Sequence, residues 1–387
     1  MPTTPRPLAR ARRAFAGLLA LIGVAAGRGA AAQGATPAAA AVPYEINHRN
    51  LAAYIADALG PEPGERIILR ADPAVMPELA AETRDALARY RTRVEVLPYG
   101  DRADLARRLA ETDVYVWLPQ GPGATVSAAE RATLARWLDS GRGRQVHFHW
   151  AGGTVGLDGR PGQHSPAFDE VYARAMIIDY GDLAGRQGGA IAVLRSGDVR
   201  VATPAGTDLT FSVGERPFNR QDGDASKGRM ARARVRVDRE VELPAGVVRV
   251  APLEESVRGT MVVPSFPLPQ GSARNVRLTF ERGRVTAVAA DEGADAVRRL
   301  LAEQEALAHF RELAIGFNKK LRRVPGEPWL PYYGYGAGIV RLSLGDNTEL
   351  GGAVTGGAVQ WLFFDDATVA VGERKVVDGG RLVEGRR

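Results

Sequence analysis

Two histidines stand one residue apart in QVHFHWAGG, and strand alternation puts His147 and His149 on one face. Imidazoles held this way can share a metal ion, move a proton or bind an anion, and they equally suit ring nitrogens bonded to backbone or water at a strand end. A second group lies in the C-terminal half. Read as a helix, the run from Asp295 to about Ala314 places Glu305, His309 and Glu312 on one face, nitrogen and oxygen donors spaced for a divalent cation. Turns supply further carboxylates: Asp208 after Thr207, and Glu254 with Glu255 beyond a Pro-x-Gly turn, positions where acids also satisfy backbone N–H groups. In AVQWLFFDD, residues 358–366, Gln360 is the polar residue inside an apolar strand pattern, and Asp365 and Asp366 form the turn beyond. The sequence has neither a GxSxG elbow nor a GxxxxGK[ST] loop, so nucleophilic and nucleotide chemistry have no anchor. With no cysteine, disulfides, thiolate metal sites and a lipoprotein anchor are excluded.

Two kinds of scaffold carry these candidates. Between Glu65 and Trp150, strand-length apolar runs at 66–70, 94–97, 114–118 and 145–150 alternate with helical stretches such as Pro77 to Tyr90 and Ala128 to Leu138. Ser127, three residues ahead of Glu130, opens the latter as a capping box. This alternation predicts a parallel sheet with helices on both faces. His147 and His149 then sit near the carboxyl end of a strand, where open α/β sheets gather ligands. A helix from about Ser165 to Tyr180 closes the half. After Gly188 the pattern becomes short alternating segments (IAVLR, VRVATP, LTFSV, ARVRVD, GVVRVAP, VRLTFE) with Gly, Pro and Asp between them, the signature of antiparallel sheet.

Of the net charge of +6, five charges reside in the leader. Arg6, Arg10, Arg12, Arg13 and Arg28 stand there with no acid, leaving 51 − 5 = 46 basic against 45 acidic groups in the body. A nearly neutral body without a basic stripe gives counterion release little to work with, which excludes nucleic acid as a partner. Arginines, the apolar run AFAGLLALIGVAAG and the small residues of GAAAQG follow the order of a secretory signal, cleaved near Ala32 and Gln33. Arg12 and Arg13 before Ala14 and Phe15 also suit twin-arginine export. At roughly 14 residues the run is short of the about 20 that span a bilayer. The expected organisation is a leader over 1–33, a Pro/Ala linker over 34–43, an α/β domain over 44–185 and a β-rich α+β domain over 186–387. The expected location is periplasmic or secreted, with no membrane contact once the leader is removed.

Four segments, VRVATPAGTDLTFSVGERP, ELPAGVVRV, HFRELAIGFN and GIVRLSLGDNTELGGAVTGGAVQWLFFDD, resemble in order and spacing the thermophilic metallo-aminopeptidases of the aminopeptidase T and aminopeptidase S type. The resemblance implies that family's α/β plus β-rich fold, a homodimer, and two metal ions held by two glutamates, two histidines and an aspartate. Position by position the chain departs from it. Val247 stands where the LPxGE glutamate is expected, Arg341 at the strand histidine, and Gln360 and Leu362 at the closing HxD pair, while Glu312 keeps the GELALGxN glutamate. Valine and leucine offer no lone pair, arginine is a fixed cation, and a primary amide is a poor substitute for imidazole. GDNTELGG, residues 345–352, is similar to a segment of the 2,5-dihydroxypyridine ring-opening dioxygenases, a one-iron branch of the same fold whose ligand positions also fall on Glu312, Gln360 and Leu362.

The sequence therefore predicts a relative without the usual dinuclear centre and with no cofactor, binding a small or peptide-like ligand in an inter-domain cleft. Glu312, Arg341, Gln360, His147 and His149 are its candidate lining residues, and no catalytic residue is assigned. Arg341 can pair with Glu312, and its guanidinium suits a carboxylate ligand. Two alternatives stay open: a divergent metal-dependent hydrolase with a site rebuilt from His147, His149, Glu254, Glu255 or His309, and a non-catalytic structural or assembly protein.

Overall fold

The computed structural model describes residues 44–99, 104–121 and 126–383. The leader and the linker lie outside the described residues. In the first half, β1 (Arg66–Ala71), β2 (Arg93–Pro98), β3 (Val114–Trp117) and β4 (Arg144–Phe148) alternate with α1 (His48–Leu59), α2 (Pro77–Ala88), α3 (Leu105–Ala110) and α4 (Ala128–Asp139). Two further helices, α5 (Ala167–Met176) and α6 (Tyr180–Leu194), lead into the second half. There the strands are β5 (Val199–Ala202), β6 (Asp208–Phe211), β7 (Asn219–Gln221), β8 (Glu240–Leu243), β9 (Val247–Val250), β10 (Arg258–Pro267), β11 (Ser272–Glu281) and β12 (Arg284–Ala289). After a helix at Ala294–Glu303 come β13 (Phe310–Gly316), β14 (Val340–Gly345), β15 (Val359–Phe364), β16 (Thr368–Val371), β17 (Arg374–Asp378) and β18 (Arg381–Leu382).

The first sheet is parallel, in the order β2-β1-β3-β4-β8. Alternation along its strands sends Ile67, Leu69, Val116 and Val146 against α1, α2 and α5, and Ile68, Tyr115 and Trp117 against α3 and α4. Ser127 caps α4 as its spacing predicts, its hydroxyl accepting from the Glu130 N–H at 3.1 Å. The fifth strand comes from well beyond residue 185: β8 returns from the second half and lies parallel to β4, setting His147 beside Glu242.

The remaining strands form two antiparallel sheets, as the alternation predicts. One has eight strands in the order β12-β11-β10-β6-β5-β16-β17-β18, the other five in the order β15-β14-β13-β9-β7. The helix expected to run to about Ala314 ends at Glu303, and residues 310–316 are strand β13 instead. Every residue of β13 is buried, and β9 and β14 flank it on both edges, so tertiary pairing overrides helix propensity. Glu305, His309 and Glu312 thus do not share a helix face. Glu305 and His309 lie at the surface with Arg284, while Glu312 is in the interior.

Asn318 joins the two halves. Its amide donates to the Ala175 carbonyl at the end of α5 (3.1 Å) and to the Ala245 carbonyl in the turn before β9 (2.7 Å). The turn can approach only because residue 246 is glycine: a Cβ there would lie 2.6 Å from the Asn318 Cβ, and its φ is +148°. Asn318→Ala orphans two carbonyls and is expected to lower stability by about 1–3 kcal/mol, read from the urea midpoint at unchanged slope.

Candidate functional site

A cavity of about 220 Å³ opens between the first sheet and the face of the β15-β14-β13-β9-β7 sheet. His149, Glu240 and Glu242 form its wall on the first side, and Arg249, Arg341 and Trp361 on the other. Tyr333 and Tyr335, from the loop before β14, complete it.

Strand register explains why the second wall is charged. Arg249, Ala314, Arg341 and Phe363 form one row across β9, β13, β14 and β15, and Glu312, Ser343 and Trp361 form the next row on the same face. Alanine between the two arginines leaves room for both guanidiniums to turn toward Glu312. Arg341 reaches Glu312 Oε1 through Nε at 3.1 Å and through a terminal nitrogen at 3.0 Å, and the Ser343 hydroxyl donates to the same oxygen at 3.1 Å. Arg249 Nε donates to Oε2 at 3.0 Å, and Arg311 forms an ion pair with it at 2.7 Å. Arg311 can point the same way as its neighbour Glu312 because the β13–β14 register shifts between Phe310 and Glu312. Glu349, from GDNTELGG, closes the cluster by accepting from Arg249 at 2.6 Å and from Arg311. Burial alone would raise the Glu312 pKa, but the three guanidiniums hold it well below the ordinary carboxylate range. Arg341 also packs over the Trp361 ring, 4.7 Å from its centroid.

On the opposite wall, His147 Nδ1 lies 3.1 Å from Glu242 Oε1, and His149 Nε2 lies 3.9 Å from Glu242 Oε2. The Tyr332 hydroxyl donates to Glu242 Oε2 at 3.3 Å. The backbone N–H of Glu242 donates to Gln221 Oε1 at 2.9 Å. Burial raises the Glu242 pKa, yet His147, His149 and Arg249 outweigh it and bring the value down to about 2. For His149 burial dominates, lowering it to about 4; for His147 burial is outweighed by Glu242 and the pKa rises. Glu240, one strand step away, is pushed up to about 7, chiefly by burial.

The tyrosine loop is strained. Tyr332 and Tyr333 have φ of +42° and +50°, left-handed values that cost bulky residues about 1–3 kcal/mol each. Hydrogen bonds hold Tyr332 there, its N–H donating to the Tyr172 hydroxyl at 3.2 Å beside the contact to Glu242, while Tyr333 packs edge-on against His149 and Trp361.

Of the residues singled out from sequence, the structure brings His147, His149, Glu312 and Arg341 to this region. Gln360 is turned away, its amide donating to the Asp158 and Trp361 carbonyls. It shares a face with Leu362, which pairs with Leu342 in the core. The residues of β15 that face Arg341 and Glu312 are Trp361 and Phe363, one step out of register with the expected HxD pair, and such a step exchanges the two faces of a strand. Val247 is buried beside the cavity wall. Asp208 pairs with Arg200, Glu254 with Arg216 and Glu255 with Arg282, all away from the cavity. Glu242, Arg249, Arg311 and the tyrosines escaped the sequence reading. The available signal for Glu242 was the alternation of EVEL, which matches QVHFH once the two strands are known to be neighbours.

Residues 193–324 match the thermophilic metalloprotease (M29) family model. The 2,5-dihydroxypyridine dioxygenase of Pseudomonas putida KT2440 superposes with a TM-score of 0.60 at 17% identity, covering 87% of this chain and 97% of that one. Wild-type AmpT from Thermus thermophilus gives 0.53 at 16% identity, covering 87% and 99%. No curated protein sequence matches the chain. The resemblance seen in the motifs is therefore borne out by the family model over residues 193–324 and by the fold, which is AmpT-like and shared with the dioxygenase branch. That family is normally metal-dependent.

Glu312→Gln leaves three guanidiniums facing Glu349 alone and is expected to cost about 3–5 kcal/mol in urea denaturation at neutral pH. Because the folded pKa of Glu312 is depressed, its stabilisation is whole above the unfolded carboxylate value near about 4.3 and is lost as pH falls toward the folded value. The gap between wild type and variant should thus narrow from about pH 6 to about pH 3. A gap independent of pH would contradict the cluster.

Proposed function

We propose that this protein is an aminopeptidase-fold relative that lacks the family's dinuclear metal centre and binds a small or peptide-like anionic ligand in the cavity. The observation that carries the reading is the environment of Glu312. Both oxygens of the family's one retained ligand are engaged by Arg249, Arg311, Arg341 and Ser343. A divalent pair bridged by that carboxylate would have to displace buried guanidiniums, and Val247, Trp361 and Phe363 offer no donors in return. The residues at the family positions do not fit the dinuclear centre.

The same wall suits an anion. Arg341 is both a cavity-lining cation and, through its stacking on Trp361, a fixed one. Tyr333, Tyr335 and Trp361 add flat aromatic surface for an organic body, and about 220 Å³ accommodates a small molecule or the end of a peptide. The proposed setting is periplasmic or extracellular, resting on the leader, with homodimerisation following the family. A divergent metal-dependent activity is favoured by one observation only, the approach of His147, His149 and Glu242 to one another.

Calorimetric titration with a panel of small mono- and dicarboxylates and dipeptides tests the ligand class. Wild type should bind at least one member, and Arg341→Lys, which keeps the charge and loses the planar fork, should bind it about tenfold or more weakly. Equal affinity in the two proteins would remove Arg341 from the ligand site.

A further inference from the structure

We infer that His147, His149 and Glu242 form a mononuclear site for a first-row transition-metal cation, on the cavity wall opposite the one that carries the family's metal positions. One donor atom from each of the three lies within 4.8 Å of the other two. A tetrahedral cation with bonds of about 2.0–2.1 Å has donor-to-donor edges of about 3.3–3.4 Å. His147 Nδ1 lies 3.1 Å from Glu242 Oε1 and His149 Nε2 lies 3.9 Å from Glu242 Oε2, separations close to that edge on either side of one carboxylate.

The donors are carried on rigid elements. His147 and Glu242 are register partners on adjacent parallel strands, and His149 follows one strand period on. Tyr332 and Gln221 hold the Glu242 carboxylate and its backbone, the outer support that orients a metal-binding side chain. Three protein donors leave a coordination position open, and His149 and Glu242 present it to the cavity. Two imidazoles and one carboxylate select zinc, cobalt, iron or manganese over magnesium and calcium.

Charge is compatible. Arg249, Arg311 and Arg341 bring three positive charges, and Glu312, Glu349, Glu240 and Glu242 bring up to four negative ones, 3 − 4 = −1. Adding a divalent cation makes the region +1, a balance that suits an anionic ligand. The inference extends the reading of the cavity as a ligand site, and the two fail separately. Loss of metal with carboxylate binding intact removes only the cation, and loss of carboxylate binding with metal intact removes only the ligand reading.

The test uses the full-length protein, stripped with a chelator, loaded with a slight molar excess of Zn²⁺ or Co²⁺ and dialysed against metal-free buffer. Wild type should retain one equivalent, and the Co²⁺ form should show visible ligand-field bands of nitrogen coordination. His149→Gln and Glu242→Gln should each weaken binding tenfold or more, whereas His309→Ala, at the surface with Arg284, should not. Substoichiometric retention by wild type, the absence of ligand-field bands, or variants that bind as tightly as wild type would overturn the inference. Because the spectrum is read on wild type, the test stands even if a variant does not fold.

Discussion

Glu312 and its three arginines are the constraint around which the site is organised. A lone carboxylate with no exposed surface is costly to ionise, and a lone buried guanidinium is no better. Together, with Glu349 and Ser343, they satisfy one another in a geometry the strand rows dictate. Arg249 and Arg341 can converge only because Ala314 separates them, and Arg311 joins only because the β13 register slips. In the metallo-aminopeptidases that the motifs resemble, the carboxylate expected at that position serves metal. Here the positive charge comes from side chains, which cannot dissociate and offer no open coordination position.

The consequences spread outward from that cluster. Once Arg341 is fixed over Trp361, one wall of the cavity is cationic and aromatic. The facing wall, from the end of the parallel sheet, carries His149 and Glu242, with His147 bonded to Glu242 behind them. Between them the strained Tyr332–Tyr333 turn reaches across, with the Tyr332 hydroxyl on Glu242. Such strain persists only where surrounding contacts over-determine the backbone, and its position between the two walls ties the geometry of one to the other.

Much of the fold was legible because period-two and helical patterns are strong where a strand or helix buries one face. The parallel first sheet, the antiparallel second half and the capped start at Ser127 all follow from local pattern. The helix predicted through His309 failed because FRELAIG, rich in helix formers, is buried on both faces between two strands, and pairing outweighs propensity there. Half of the site was legible too. His147 and His149 announced themselves by spacing, and Glu312 and Arg341 through family motifs. Glu242 could not be linked to the histidines, since its strand is separated from theirs by about ninety residues of chain and only the sheet order brings them together. Arg249, in VVRV, reads as an ordinary strand arginine until the row it shares with Arg341 is known. That Gln360 turns away from the cavity is of the same origin: a gapped motif fixes a strand, while its facing residues depend on register.

The most direct test of the arginine cluster is an anomalous-difference map from crystals of the protein grown with excess Zn²⁺. The account predicts continuous guanidinium density around Glu312 and no anomalous peak within coordination distance of its carboxylate. A pair of peaks bridged by Glu312, with Arg249 and Arg341 swung aside, would contradict it.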